Sequence, residues 1–400
     1  MKIGILRETR RWKDRRAAIT PATAREIMKR WPGIEIYAQP SDTRVFKEGE
    51  YIEAGVKITD SLSHCDILFG VKEVAEEALI PGKTYIIFAH VAKKQEHNRA
   101  FFREMARKKI TLLDYEYFTK KNGARVVAFG HWAGVVGAYY AIMGIMKRFA
   151  NVEIPHPSTF YDAGELNRFL KTFKIPPLRV VITGDGRVGQ GAASVLKAHG
   201  IRQVSSEEFL TNDFSEAVFC MLPFFDYVKP KDEKVAGYND FFTMPGEFES
   251  TFIPYTQKAD VHIPCHFWDP ASPIFFSKED MQKPWFKIRL VADISCDVPG
   301  PVASTIRTST HGQPFYDVDK NSLKEKEAFS GKDNITVVAV DNLPTALPLN
   351  ASEAFASNLL ENVFPYLFGN DSEGVVERAT ILRDGELTKR YKYLEDFLKG

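Results

Sequence analysis

A glycine-rich stretch in the middle of the chain limits the possible folds more than any other feature. VVITGDGRVGQGAAS occupies residues 180–194, and its apolar start extends back to Leu178 to give the strand-like LRVVIT. Glycines stand at positions 184, 186, 189 and 191, and the helix-like GAASVLKAHG ends at Gly200. A buried strand, a tight turn and a helix in this order predict one βα unit of a parallel sheet.

The spacing of three of these glycines predicts a dinucleotide site. Gly184 fits the tight turn, Gly186 the close approach to a pyrophosphate, and Gly189 the packing of helix on strand. Main-chain N–H groups at the start of the helix, at Arg187 and Val188, would meet the phosphates. An ordinary βα turn with surplus glycine is the alternative, and the flanking strand and helix favour the dinucleotide.

The choice between NAD and NADP depends on the end of the next strand, and both remain open. A free ribose 2′-hydroxyl usually meets an acid about 20 residues further on, whereas a 2′-phosphate prefers hydroxyl groups and a cation. The segment GIRQVSSEEF places Ser205 and Ser206 there, with Arg202 nearby and Glu207 as the only candidate acid. These residues favour NADP slightly.

Composition and charge exclude several classes of protein. Lys and Arg number 53 against 52 acids, and no basic block suggests a nucleic-acid partner. The four cysteines lack the CxxC spacing of a zinc site, so we expect reduced thiols and no metal. We predict a cytoplasmic protein without membrane partners, because no apolar stretch is long enough to cross a bilayer and MKIGILRETRR lacks a signal-peptide core. An oligomer remains open.

The first third of the chain alternates strand-like and helix-like segments, which predicts a parallel sheet covered by helices. The expected strands are 2–6, 34–38, 65–71, 84–89 and 110–116, and the expected helices are 21–31 and 96–109. A long helix at 131–149 and a second at 351–367, behind a possible Ser352 cap, are expected to connect two domains.

The second predicted sheet contains the glycine-rich unit. Its expected strands are 178–183, 217–222, 288–295 and 335–341, and residues 151–177 are expected to be loop. Residues 223–286 are predicted to be a packed excursion without a sheet strand. Its aromatic residues fit an interface or a lid, and neither is excluded: Phe241, Phe242, Phe252 and Tyr255.

Two apolar strands of the first sheet end on ionisable residues. DILFGVK ends on Lys72 and YIIFAH on His90. Parallel strands bring their carboxyl ends to one edge, where open α/β sheets bind ligands, so we expect the two side chains in one cleft. Such a pair can transfer protons near neutral pH. The alternative is structural, with Lys72 extending to solvent and His90 capping a turn.

The segment LRETRRWKDRRAAITP follows the first strand and should lie at the same edge. Arginines there could bind carboxylates through paired hydrogen bonds. Arg10, Arg11 and Arg15 are expected to be solvated, which leaves Arg7 and Arg16 as the candidates.

With these residues in view, the chain resembles the saccharopine dehydrogenase branch of the alanine dehydrogenase superfamily over nearly its whole length. The stretches that carry the resemblance are LRETRRWKDRRAAITP, ILFGVKE, IIFAHVAKKQEHN, LLDYE, RVVAFGHWAGVVGA, ITGDGRVGQGA, VADISCD and VDNLPTALPLNASE. VVAFGHWAGVVG, DNLPTALP and RYKYLEDFL are most similar to the lysine–ketoglutarate reductase domain of bifunctional aminoadipic semialdehyde synthases.

The resemblance implies an α/β fold of two Rossmann-like domains with parallel sheets and a cleft between them. It implies a substrate-side domain, 1–133 plus 345–400, interrupted by an inserted dinucleotide-binding domain, 134–344. It also implies roles for particular residues. Lys72 and His90 would be the acid–base pair, while Asp341 would lie on the nicotinamide side. The resemblance also implies that five residues contribute to the substrate side of the site: Arg16, Glu73, Lys93, Glu116 and Arg125.

The implied reaction is reversible hydride transfer at a secondary amine, which interconverts saccharopine with L-lysine and 2-oxoglutarate and uses NAD or NADP. An alanine dehydrogenase, or another amino-acid or opine dehydrogenase, is the first alternative. A non-catalytic sensor of nicotinamide or of a metabolite is the second. The direction in the cell remains open.

Overall fold

The computed structural model describes residues 1–9, 14–232 and 237–399. The chain forms two compact units. Unit 1 contains Met1–Phe129 and Pro348–Gly400, and unit 2 contains Gly130–Leu347. The α/β fold class is confirmed, since each unit is built on a mostly parallel eight-stranded sheet. The sequence-based domain limits, 133/134 and 344/345, lie close to these unit boundaries.

The sheet of unit 1 comprises eight strands, numbered here in chain order through the whole molecule. They are β1 (Lys2–Ile5), β2 (Glu35–Ala38), β3 (Lys57–Ile58), β4 (Ile67–Phe69), β5 (Thr84–Ile87), β6 (Thr111–Asp114), β17 (Thr380–Arg383) and β18 (Glu386–Leu387). Their order is β18-β17-β6-β5-β4-β1-β2-β3. The first six strands are parallel, and β17 and β18 extend the edge in antiparallel pairing.

Helices cover this sheet. They are α1 (Pro21–Arg30), α2 (Glu48–Glu53), α3 (Arg99–Arg107), α12 (Pro348–Asn362), α13 (Phe364–Leu367), α14 (Val375–Ala379) and α15 (Glu395–Lys399). α1 begins behind Thr20, whose hydroxyl accepts from the Thr23 N–H, and it buries Ala24 and Ile27.

The predicted Ser352 cap is wrong, because α12 begins at Pro348 and Ser352 lies inside it. The Ser352 hydroxyl donates to the Pro348 carbonyl at 2.6 Å and accepts from the Ala17 N–H at 2.9 Å. It therefore joins the C-terminal segment of unit 1 to the N-terminal one. The predicted helix is also divided, since α12 ends at Asn362 and α13 follows.

The main sheet of unit 2 also has eight strands. They are β7 (Arg179–Thr183), β8 (Arg202–Gln203), β9 (Val218–Leu222), β12 (Val261–Pro264), β13 (Leu290–Ala292), β14 (Phe315–Val318), β15 (Glu325–Lys326) and β16 (Ile335–Val338). Their order is β15-β14-β16-β13-β12-β7-β9-β8, and β14 pairs in antiparallel fashion with both β15 and β16, whereas the other pairs are parallel. β10 (Val228–Pro230) and β11 (Phe248–Ser250) pair separately.

The expectation of no sheet strand in residues 223–286 is wrong. β12 lies in the middle of the sheet, between β7 and β13. All four residues of VHIP are buried, so the strand shows no polar–apolar alternation. A four-residue apolar run interrupted by a histidine is too short to reveal such a strand.

Unit 2 also contains helices. They are α4 (Gly130–Ala150), α5 (Ala163–Leu170), α6 (Arg187–His199), α7 (Ser206–Thr211), α8 (Phe224–Tyr227), α9 (Tyr238–Thr243), α10 (Ile253–Thr256) and α11 (Lys278–Met281). The prediction of loop at 151–177 is wrong for α5, which begins behind Asp162, whose side chain accepts from the Glu165 N–H at 2.7 Å.

α4 and α6 pack backbone to backbone through glycines. A Cβ on Gly134 would lie 2.0 Å from the Val188 carbonyl oxygen, and one on Gly191 would lie 2.1 Å from the His131 carbonyl oxygen. No side chain can be accommodated at either position without separating the helices.

Most of the aromatic residues singled out in the excursion belong to the core of unit 2. Phe241, Phe252 and Tyr255 are buried, whereas Phe242 is 47% exposed. All four cysteines are free thiols. Among residues 1–9, 14–232 and 237–399, no helix combines the length and the apolar character needed to cross a membrane. The same residues hold no group of three or more potential ligands arranged for a metal ion.

Candidate active site and dinucleotide turn

Lys72 and His90 follow adjacent parallel strands of unit 1. β4 ends at Phe69 and β5 at Ile87, and the two strands pair directly. The ring of Phe88 lies close to both side chains. The Lys72 Nζ is 5.9 Å from its centroid, and the His90 ring stacks on it at 6.0 Å with an 18° angle. The structure therefore brings the lysine and the histidine to one edge of the sheet.

His90 is held in an unusual main-chain conformation. Its φ is +53°, in the left-handed region, which costs a residue with a side chain about 1–2 kcal/mol. Its Nδ1 lies 3.2 Å from Oε1 of the buried Glu73. When the Glu73 carboxylate is ionised it can only accept, and in that state Nδ1 carries the hydrogen in this contact. In the neutral imidazole, Nε2 is then the basic nitrogen.

Arg16 is bound to an acid that the sequence analysis did not single out. Its Nη2 and Nε lie 2.7 and 3.0 Å from the two oxygens of Asp14. The guanidinium group lies over the ring of Phe129, 4.3 Å from its centroid. Burial raises the pKa of Asp14, but the Arg16 charge and hydrogen bonds hold it below its usual range. The sequence does offer a signal for this ion pair, because Asp14 stands two residues before Arg16.

The other candidate, Arg7, is exposed. Its main-chain N–H donates to Gln39, and no described contact of its side chain distinguishes it. Arg10 and Arg11 lie outside the described residues.

Glu116 is shared by two cations. Its Oε1 accepts from Lys93 Nζ at 2.9 Å and from Arg125 Nη2 at 3.1 Å. Glu116 is buried, whereas the side chains of Lys93 and Arg125 are each 47% exposed. Burial raises the pKa of Glu116, but the two cations hold it below its usual range. Lysine has three donors and arginine five, so both cations could also bind an anion.

The three glycines of the turn in unit 2 differ in why a side chain is excluded: at two of them the fold leaves no space, whereas at the third the space is open. Gly184 has a φ of +95°, and a Cβ there would lie 2.9 Å from the Cys265 carbonyl oxygen. A Cβ on Gly189 would lie 1.9 Å from the Gly184 carbonyl oxygen. Gly186 has a φ of −70°, and a Cβ there would meet no heavy atom of residues 1–9, 14–232 and 237–399 within 4 Å.

None of the residues that the structure describes therefore requires glycine at position 186. The open space lies at the N-terminus of α6, where Gly186 makes no side-chain cap and the N–H dipoles favour an anion. The turn fits the pyrophosphate of a dinucleotide. Arg187 and Val188 form the first turn of this helix.

Ser205 has a structural role at the start of α7. Its hydroxyl accepts from the Glu208 N–H at 3.1 Å, and Glu208 Oε2 accepts from the Ser205 N–H at 2.9 Å. These two contacts form the capping box of the helix. β8, which precedes it, is separated from β7 by β9. Arg202 pairs with Glu216 at 2.8 Å.

Asp341 follows β16 and is exposed. Its main-chain N–H donates to the Ser309 carbonyl at 3.3 Å. Asn342 after it has a φ of +65°, so the chain turns sharply beside Asp341.

Two buried histidines behind the glycine turn were missed by the sequence analysis. Thr183 Oγ1 lies 3.0 Å from His262 Nε2 and 3.0 Å from His266 Nδ1. Burial lowers the pKa of both histidines, that of His266 to about 3. His262 lies in β12 and His266 comes two residues after it, so both were missed together with that strand. A Cβ on Gly184 would lie 3.1 Å from the His266 Cα, so His266 packs directly behind the turn.

Comparison with known proteins shows what the chain is similar to. Residues 4–136 match the family model for the alanine dehydrogenase/PNT N-terminal domain. The fold is that of an L-alanine dehydrogenase structure, with a TM-score of 0.68 and 16% identity over all of both chains. A transhydrogenase from Sinorhizobium meliloti has a TM-score of 0.59 and 13% identity, over 97% of this chain and 99% of its own.

In sequence, the chain is similar to alpha-aminoadipic semialdehyde synthases and to saccharopine dehydrogenases. The mitochondrial alpha-aminoadipic semialdehyde synthase of Rattus norvegicus is 29% identical over 96% of this chain and 46% of its own length. The saccharopine dehydrogenase [NAD(+), L-lysine-forming] of Neurospora crassa is 27% identical over 90% of this chain and 89% of its own. The resemblance to the saccharopine dehydrogenase branch is thus confirmed. The chain spans about half the length of the rat protein.

Proposed function

We propose that this protein is a nicotinamide-dependent saccharopine dehydrogenase, which interconverts saccharopine with L-lysine and 2-oxoglutarate. The observation that carries the proposal is the placement of Lys72 and His90 beside the same ring, Phe88, at the ends of adjacent strands. Similarity to saccharopine dehydrogenases over about nine tenths of the chain supports it.

The reaction requires several proton transfers, and two groups are assigned to them. Oxidation of the secondary amine gives an iminium, water adds to it, and the carbinolamine then releases lysine. With Nδ1 turned to Glu73, His90 presents Nε2 to accept a proton from the attacking water or return one to the leaving amine. We assign Lys72 to the substrate amine, where its Nζ exchanges a proton with the nitrogen.

The dinucleotide, when bound at the turn of Gly184, Gly186 and Gly189, supplies the hydride acceptor. The N–H groups of Arg187 and Val188 would hold its phosphates. We keep Asp341 as a proposed contact on the nicotinamide side.

The cations near His90 favour a substrate with several carboxylates. Lys93 and Arg125 are both half-exposed and joined through Glu116, and Arg16 lies on the same unit. The glutarate half of saccharopine has two carboxylates, whereas alanine has one. This arrangement favours saccharopine over the substrate of an alanine dehydrogenase.

We propose NAD as the cofactor. The Ser205 hydroxyl is engaged in the helix cap that it forms with Glu208, so it is not available for a 2′-phosphate. The Neurospora relative is named for NAD(+). Initial rates with NADH and NADPH test this choice, and a preference for NADPH would refute it.

The decisive assay follows the absorbance of reduced nicotinamide with lysine and 2-oxoglutarate, beside a parallel reaction with pyruvate and ammonia. Oxidation of NADH in the first reaction supports the proposal. Oxidation only in the second assigns the chain to alanine dehydrogenase, and no reaction in either favours a sensor.

Substitution of the acid–base pair tests their roles. Lys72→Met and His90→Gln should each lower kcat by about 10²-fold or more, with little change in NADH affinity. Lys57→Met and His64→Gln are the matched controls, because both residues are exposed and belong to other parts of unit 1. Full turnover in both test variants would remove the assignment.

A further inference from the structure

Two carboxylates hold the main chain at Lys72 and His90. We infer that Glu8 and Asp114 are positioning residues for the proposed proton-transfer pair. The catalytic meaning of this inference rests on the proposed function, whereas the contacts themselves are independent of it.

The four strands involved are neighbours in the order β6-β5-β4-β1. Lys72 and His90 follow the two inner strands. Asp114 ends the outer strand beside β5, and Glu8 follows the outer strand beside β4. Asp114 therefore reaches the segment that follows β5, and Glu8 reaches the segment that follows β4.

Glu8 binds two successive N–H groups. Its Oε1 accepts from Val71 at 2.7 Å, and its Oε2 accepts from Lys72 at 2.9 Å. The hydroxyl of Thr9 accepts from the Ala75 N–H at 3.3 Å. Residues 8 and 9 thus fix the segment that carries Lys72 and Glu73.

Asp114 makes the same kind of contact at His90. Its Oδ2 accepts from the Ala89 N–H at 3.1 Å and from the His90 N–H at 3.0 Å, while its Oδ1 accepts from the Glu116 N–H at 2.9 Å. The left-handed conformation of His90 is unfavourable by itself, and this carboxylate stabilises it. The ring is then directed at Glu73.

Burial and neighbouring negative charges disfavour the ionised form of both carboxylates. Burial, and then the charge of Asp14, raise the pKa of Glu8 to about 7. Burial, and then the charge of Glu116, raise the pKa of Asp114 to about 6. The main-chain N–H groups favour the charged forms and offset part of this cost.

The test compares three substitutions that each replace one carboxylate oxygen by an amide nitrogen: Asp114→Asn, Glu8→Gln and Asp371→Asn. Asp371 is the matched control, because its Oδ2 also accepts from two successive N–H groups, those of Val376 and Glu377, at 3.0 and 2.9 Å. Amide hydrogen exchange and steady-state kinetics are measured on the full chain.

In Asp114→Asn, the amides of Ala89 and His90 should exchange about tenfold faster, because the neutral amide oxygen that replaces the carboxylate is a weaker acceptor and the amide nitrogen would face the Glu116 N–H. kcat should fall by about tenfold, with the KM for the dinucleotide unchanged. Glu8→Gln should act in the same way on Val71 and Lys72. Asp371→Asn should change exchange only near its own loop and leave kcat unchanged.

Unchanged exchange at the Lys72 and His90 amides would refute the contacts. Faster exchange with unchanged kcat would refute positioning. If the parent protein turns over neither lysine with 2-oxoglutarate nor pyruvate with ammonia, the proposed function fails, and hydrogen exchange still decides whether the carboxylates hold these segments. If Asp114→Asn does not fold, Glu8→Gln provides the same two readouts.

Discussion

Alanine at position 186 provides the sharpest test of the dinucleotide turn. The added methyl group meets no atom of the described part of the chain within 4 Å, and the φ of −70° suits any residue. Since Gly186 precedes the first residue of α6, the exchange should cost the fold at most about 1 kcal/mol. A glycine required only by a ligand would behave in this way.

The effect on binding follows from the hydrogen bonds at risk. The methyl would occupy the space of the pyrophosphate and displace it from the N–H groups at the start of α6. One hydrogen bond to a charged group contributes about 1.5–3 kcal/mol. Losing it should weaken NADH binding by about 10- to 100-fold.

The assay is a fluorescence titration with NADH, together with thermal unfolding of the same samples. Gly49→Ala is the control, because Gly49 also has nothing within 4 Å of an added Cβ and lies in α2 of unit 1. An unchanged Kd in Gly186→Ala would refute the placement of the pyrophosphate at this turn, provided that the melting temperature is also unchanged.

Two further predictions concern the stability of unit 2. Gly134→Ala should lower the free energy of unfolding of this unit by about 1–3 kcal/mol, because the added methyl would lie 2.0 Å from the Val188 carbonyl oxygen. Gly49→Ala is the control, and it should gain about 0.5–1 kcal/mol in denaturant unfolding. A Gly134→Ala variant as stable as this control would contradict the α4–α6 packing. Burial lowers the pKa of His266 from 6.5 to about 3, so below pH 6.5 the unfolded chain binds a proton that the folded chain does not. The free energy of unfolding should therefore fall by about 1.4 kcal/mol per pH unit on this account, and His266→Gln should reduce that slope; an identical slope would contradict the burial.

Strand ends were the part of the site that sequence could predict. Lys72 and His90 could be located because each closes an apolar run and parallel strands share an edge. The glycine turn could be located because strand, turn and helix follow one another without interruption. These features depend on residues that are close in sequence.

The features that the sequence did not predict depend on contacts between residues far apart in the chain, or on segments without a recognisable pattern of polar and apolar residues. Asp114 reaches residues 89 and 90, and Glu8 reaches residues 71 and 72, through main-chain atoms that leave no trace in a pattern of side chains. β12 was missed because its four residues are all buried. Ser352 has the side chain of a helix cap, yet it serves the N–H of Ala17, 335 residues away.

The sheet of unit 1 has a consequence for biosynthesis. β17 and β18 pair at its edge, and β17 pairs with β6, although more than 260 residues separate them. A ribosome therefore completes all of unit 2 before it delivers the strands that close unit 1. The nascent N-terminal segment must wait with the edge of β6 uncovered, and exposed strand edges are sites of aggregation. The sheet of unit 1 is thus completed only after unit 2 has been synthesised.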